Sequence, residues 1–286
     1  MTENNTTIIE IKEKFDLERI KNLSLSEKFK LAKLAKLIYK EALFANQSGI
    51  QNLDKSANYT LNKTYNLFAM LVVNRIRYDI LQDIIANYAR NFKKSDSYYS
   101  QVSIIGIGLL LVVKGFDPKS ILNYLMMLLG EDFLLNNQKY PGKIEELLTE
   151  DITVKNEIEY KPFEGKMRKV KYELLALLEL SHEKGTEYIC ELINNKYDER
   201  RMKFYYNMMN ISDLRVKKEM YREFNLNERR MYRLILGGAY AIHEGLNIFT
   251  AHYLFNSIIG KYSRYDKQID EIQNEIKQRR EEILSL

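Results

Sequence analysis

The residues predict an all-α fold, an irregular array of helical hairpins in two halves with a long C-terminal helix. Three observations lead there. Apolar residues recur at spacings of three and four along most of the 286 residues, the period of one helix face. Three prolines and 12 glycines punctuate the chain too sparsely for an all-β sandwich, which needs frequent turns. Helix-stop and helix-start residues also recur in compact pairs, the clearest being Gly115 followed by Asp117-Pro118.

The elements follow in chain order. After an N-terminal segment 1–22, a helical domain is expected over 23–135. Ser24 and Glu27 stand at capping-box spacing, and Leu31, Leu34, Ala35, Ile38 and Ala42 then mark one helix face. Turn residues at 46–54 break that helix. The stretch 61–91 is apolar and helical, with Leu67, Met70, Leu71 and Asn74 on one face. Gly115 closes the next helix near 114, because a residue without Cβ enters the left-handed region freely. Asp117 is a natural N-cap and Pro118 suits the first helical position, so a new helix starts near 118.

The polar segment 136–165 holds Pro141 and Pro162 and reads as the connection between halves, with 151–160 extended. A second helical domain, 166–260, contains helices over 169–195, 198–224 and 227–242, with His182-Glu183 as a polar helix end. The last segment, 261–286, carries a heptad: Tyr262, Tyr265, Ile269, Ile272, Ile276, Arg279, Ile283 and Leu286. It admits two readings, a helix packed on its own domain or a coil formed with a second copy or a partner. Ile269, Ile272, Ile276 and Ile283 would be the seam of that coil, with Arg279 interrupting it.

Composition narrows the class further. The chain is 45% hydrophobic and 29% charged, which suffices for a packed core and argues against wholesale disorder. One cysteine excludes an internal disulfide framework or a thiolate zinc cluster and suits a reducing compartment. The first 20 residues mix charge signs without an apolar run, so no secretory signal is expected. The longest uncharged runs, 97–113 and 245–260, fall short of about 20 residues, so no transmembrane span is expected.

Catalytic patterns are missing. Gly106-Ile-Gly108 lacks the third glycine of a dinucleotide loop and has no strand before it, and it reads as a close helix–helix contact. His243-Glu244 has Asn247 where a zinc-protease helix needs its second histidine, and His252 falls on the opposite side of a continuous helix. Cys190 stands at core spacing with Ile189 and Leu192, as a structural thiol would. The expectation is a non-enzyme with no catalytic residues, no metal and no cofactor.

Charge is distributed unevenly. Between Lys196 and Ile235 there are 11 Lys/Arg against 6 Asp/Glu, a surplus equal to the whole net charge of +5. Arg200, Arg201, Lys203, Arg215, Lys217, Lys218, Arg229 and Arg230 alternate with tyrosines there. That face admits three readings: a solvated helix surface, a site for an acidic protein partner, or a nucleic-acid surface using phosphate contacts and base stacking.

One pattern occurs three times. Residues 107–125 form an apolar helix, a glycine turn and a second helix. Residues 236–248 repeat it, aligning Gly245 with Gly115 and Asn247 with Asp117. Residues 68–79 are a weaker copy with Arg75 at the glycine position. Leu111-Val-Val-Lys-Gly-Phe-Asp-Pro118 and the segment Leu236–Asn247 resemble the cytoplasmic helices of MotA-type flagellar stator proteins. That family carries L-V-V-D-G-x-D-P and G-x-x-A-I-x-E-G-x-N-P at such places. Lys114 and Ile248 depart from it, and so does the lack of four spans, so the resemblance implies hairpin shape and not ion conduction. Taken with the missing catalytic motifs, the repeated hairpins and the terminal heptad, it leads to the expectation of a bacterial, cytoplasmic, non-enzymatic scaffold or adaptor with a protein partner, beside a flagellar motor or another large assembly. The alternative is a nucleic-acid-binding protein using 196–235.

Overall fold

The computed structural model describes residues 3–57, 62–92, 94–139, 165–196, 226–261 and 268–285, and among these every regular element is helical. The chain divides into two compact units, Met1–Glu159 and Tyr160–Leu286. The division falls inside the expected connection 136–165, of which residues 140–164 lie outside the described residues.

Unit 1 comprises α1 (Glu3–Lys14), α2 (Glu18–Lys21), α3 (Leu25–Ser48), a 3-10 turn (Ile50–Asn52), α4 (Leu53–Ala57), α5 (Lys63–Val73), α6 (Tyr78–Arg90), α7 (Asp96–Val113), α8 (Pro118–Met127) and α9 (Glu131–Lys139). The capping box at α3 forms as its residues require. Ser24 Oγ accepts from the Glu27 N–H, and the Ser24 N–H donates back to the Glu27 carboxylate at 3.3 Å. The first 22 residues are no separate segment. Ile11, Phe15 and Ile20 are buried, and α1 and α2 pack on α6 and α7.

The core of unit 1 is α7, surrounded by α3, α5, α6 and α8. By length and composition it is the one described helix able to cross a membrane, and Tyr99, Ser100 and Val102–Val112 are buried inside the unit. Gly106 and Gly108 allow its neighbours to approach. A methyl group on Gly106 would stand 2.1 Å from Ile85 Cγ2, and one on Gly108 would stand 2.5 Å from Ile38 Cγ2. The Gly-Ile-Gly pair is therefore a packing device, as its setting in the sequence suggests.

Unit 2 comprises α10 (Lys166–Lys184), α11 (Thr186–Lys196), α12 (Leu226–His243), α13 (Ile248–Ile259) and α14 (Ile269–Ser285). Its centre is α10, which packs against the other four. The helix expected over 169–195 is broken at Gly185, which takes φ +86 directly after Lys184, one residue past the His182-Glu183 pair. The helix expected over 198–224 lies outside the described residues.

Of the two readings of the terminal heptad, the structure has the helix packed on its own unit. Ile272, Ile276 and Ile283 are already buried, with α14 laid along α10. Only Ile269, 40% exposed, stays outside that seam. Ion pairs flank the contact: Arg168 reaches Glu271 and Glu275 at 3.1 Å each, and Arg280 forks onto Glu183. Arg279 pairs with Glu282 on its own helix instead of with a facing one. The apolar stripe is spent within unit 2, because α10 offers it a matching face and carboxylates for its arginines.

Candidate functional site

The three aligned segments adopt one backbone conformation. At the end of α7, the Phe116 N–H donates to the Leu111 carbonyl at 3.1 Å and the Gly115 N–H to Val112 at 3.0 Å. At the end of α12, Leu246 donates to Ala241 at 2.9 Å and Gly245 to Ile242 at 3.3 Å. At the end of α5, Ile76 donates to Leu71 at 3.4 Å and Arg75 to Val72 at 2.9 Å. This paired bonding is the Schellman motif, which satisfies the last carbonyls of a helix through one left-handed residue. Gly115 and Gly245 take φ +74 and +60, and Arg75 takes φ +54.

The N-cap of the helix after each turn stands two residues past the left-handed one. Asp117 Oδ1 accepts from the Ser120 N–H at 3.0 Å, and Asn247 Oδ1 accepts from the Thr250 N–H at 2.8 Å. Arg77, at the equivalent place before α6, provides no side-chain cap and instead forks onto Asp79 at 2.7 and 2.9 Å. Hydrogen bonding from the Ser120 side chain first, and from its N–H second, holds Asp117 below the usual carboxylate range. Gly115, Asp117, Pro118 and Gly245 thus perform the turn roles expected of them.

Two of these turns meet in unit 1. Helices α6 and α7 form a hairpin, so the start of α6 and the end of α7 share one end of the unit. Lys114 Nζ lies 4.3 Å from the centre of the Tyr78 ring, placing a cation on an aromatic face. Burial first, and Glu10 second, push the Tyr78 phenol up to about 12.

Unit 2 holds a buried polar network that sequence reasoning missed. Lys171 on α10 donates to Asn256 Oδ1 on α13 at 2.8 Å, and Asn256 Nδ2 lies 2.8 Å from His252 Nε2. Lys171 is 1% exposed, and Asn256 and His252 are fully buried. Because the amide oxygen takes the lysine, its NH2 faces the imidazole, whose Nε2 accepts and whose proton sits on Nδ1. Burial, then Lys171 and Lys261, lower His252 to about 2, so the ring is neutral at physiological pH. Burial, then Lys261 and Arg168, hold Lys171 well below the ordinary amine range, while Glu271 and Glu275 oppose them. The result is a strut joining α10 to α13. Its sequence signals were a lysine inside the run Val170–Leu180 and a polar pair four residues apart on the otherwise apolar α13.

The expected basic face has little described geometry. Arg200, Arg201, Lys203, Arg215, Lys217 and Lys218 lie outside the described residues, and so does the side chain of Arg229. Arg230 is half-buried, and burial, then Arg233, lowers its guanidinium value. Cys190 is half-buried where a core thiol was expected, and burial, then Glu187, pushes its thiol up. Among the described residues no three His, Cys, Asp or Glu side chains converge as metal ligands would. Comparison with protein-family models, curated proteins and solved structures finds no match to this chain.

Proposed function

We propose that the chain is a non-enzymatic helical adaptor that joins a protein partner to a large assembly, in the cytoplasm beside a membrane complex such as a flagellar motor. The observation behind this reading is the recurrence of one helix–Schellman turn–helix unit at 75, 115 and 245. Repeated hairpins bury apolar faces against one another and leave their turn tips at the surface, the layout helical arrays use to present binding surfaces. The two segments that resemble stator helices, 111–118 and 236–247, both build this unit.

The test is affinity tagging in the native cell, followed by reconstitution from purified components. A stoichiometric protein complex that survives nuclease treatment supports the adaptor. Retention on DNA or RNA that falls steeply with salt, without a protein partner, would replace it by the nucleic-acid reading.

A further inference from the structure

Arg75 departs from the pattern of its two sister turns. The left-handed residue is glycine at 115 and 245, and among the described residues Arg75 alone is a non-glycine with positive φ. An L-residue in that region costs roughly 1–2 kcal/mol, and glycine was open to the chain, since it serves the same turn elsewhere. Among the described residues no polar or ring contact compensates. The side chain is exposed, and among the described residues it makes no hydrogen bond, ion pair or ring contact. A strained residue whose neighbours gain nothing from it points outward to what it presents.

The surroundings show what would be met there. Arg77 is exposed beside it, forked onto Asp79. Lys114 crosses from the adjacent turn over Tyr78, and Lys119 is exposed in the first turn of α8. Carboxylates close by include Glu10, which acts on Tyr78, together with Asp79 and Asp117. Asp79 is taken by Arg77, and Asp117 is spent as the cap of α8. Arg75 and Lys119 are left as uncommitted cations at the rim of a partly neutralised patch.

We propose that the twin-turn corner of unit 1, centred on Arg75, docks an acidic segment of a protein partner, with the Arg75 guanidinium forking onto one of its carboxylates. This rests on the adaptor reading. A guanidinium suits a carboxylate because its fork matches both oxygens. Nucleic acid fits the corner less well, since it calls for a run of phosphate contacts, and Glu10, Asp79 and Asp117 would face the phosphates. Interspersed charge is what a complementary protein surface reads for register.

The test uses the full chain as wild type, Arg75→Gly and Arg75→Glu, with a fluorescent glutamate-rich peptide and a fluorescent single-stranded oligonucleotide as probes. Thermal unfolding is measured alongside anisotropy. Arg75→Gly is expected to unfold at the same temperature or higher, yet to bind the peptide about fivefold or more weakly, with Arg75→Glu weaker still. Equal peptide binding by all three proteins, or none by wild type, overturns the site. So does an oligonucleotide that binds more tightly than the peptide and is lost with Arg75→Glu. A native partner that co-purifies equally with wild type and Arg75→Glu overturns this docking site and leaves the adaptor reading standing.

Discussion

Replacing Gly106 by alanine separates two effects of opposite sign. Helix propensity alone favours the change, since glycine inside a helix is worse than alanine by roughly 0.5–1 kcal/mol. Packing opposes it. The added methyl would stand 2.1 Å from Ile85 Cγ2 and 3.5 Å from Phe68 Cε2. Carbon atoms rest about 3.5–4.0 Å apart, so one side must yield by about 1.5 Å inside a close-packed interface. Ile85 Cγ2 is bonded to Cβ, and a β-branched residue in a helix has one strongly preferred χ1, so it cannot simply swing away. The cost therefore sits toward the upper end of the roughly 1–3 kcal/mol for overpacking. Subtracting the propensity gain leaves about 2 kcal/mol of net destabilisation.

Urea unfolding followed by far-ultraviolet circular dichroism measures this directly. The cycle closes with Ile85→Leu, which moves the branch from Cβ to Cγ and removes Cγ2 at nearly constant volume. That change alone should cost under about 1.5 kcal/mol. Combined with Gly106→Ala it should recover much of the loss, giving a coupling of roughly 1–2 kcal/mol. A stabilised Gly106→Ala protein, or a pair of purely additive effects, would refute the close approach of α6 and α7.

Three further outcomes are expected. Lys171→Met should flatten the pH dependence of stability, as urea midpoints across a pH series will show. The folded amine lies well below its ordinary value of 10.5, so between those two values the unfolded chain binds more protons and wild-type stability rises with pH; an unchanged slope sinks the idea. Ile276→Ala should destabilise unit 2 by about 2–5 kcal/mol as a truncation in a packed seam, whereas an unaltered unfolding midpoint with a smaller mass by light scattering would return the seam to an intermolecular role. Asn247→Ala removes the side-chain acceptor for the Thr250 N–H and should cost about 1 kcal/mol in thermal unfolding.

What could be read from the residues was local. The capping box at Ser24, the stop–start signal at 115–118 and the alignment of 75, 115 and 245 each rest on backbone chemistry within a few positions, and each is found. Arg75 shows the strength of that reading, because the aligned turn forms even where its glycine is missing. What escaped depended on partners distant in sequence. The polarity of Lys171 looks like a surface feature until Asn256, 85 residues away, is placed opposite it.

The terminal helix shows the same limit from the other side. A heptad states that one stripe needs a cover, and the period carries no information about which element provides it. Here the cover is α10, and the pairs of Arg168 with Glu271 and Glu275, and of Arg280 with Glu179 and Glu183, are what a coiled-coil flank would have offered a second copy. The stripe and its flanking charges are therefore spent within one unit. Among the left-handed turn residues of the described structure, only Arg75 is a non-glycine, and it keeps that costly conformation with no polar or ring contact to another described residue. An adaptor built from repeated hairpins would carry its specificity at such a departure from the repeat, since the regular positions are committed to holding the helices together.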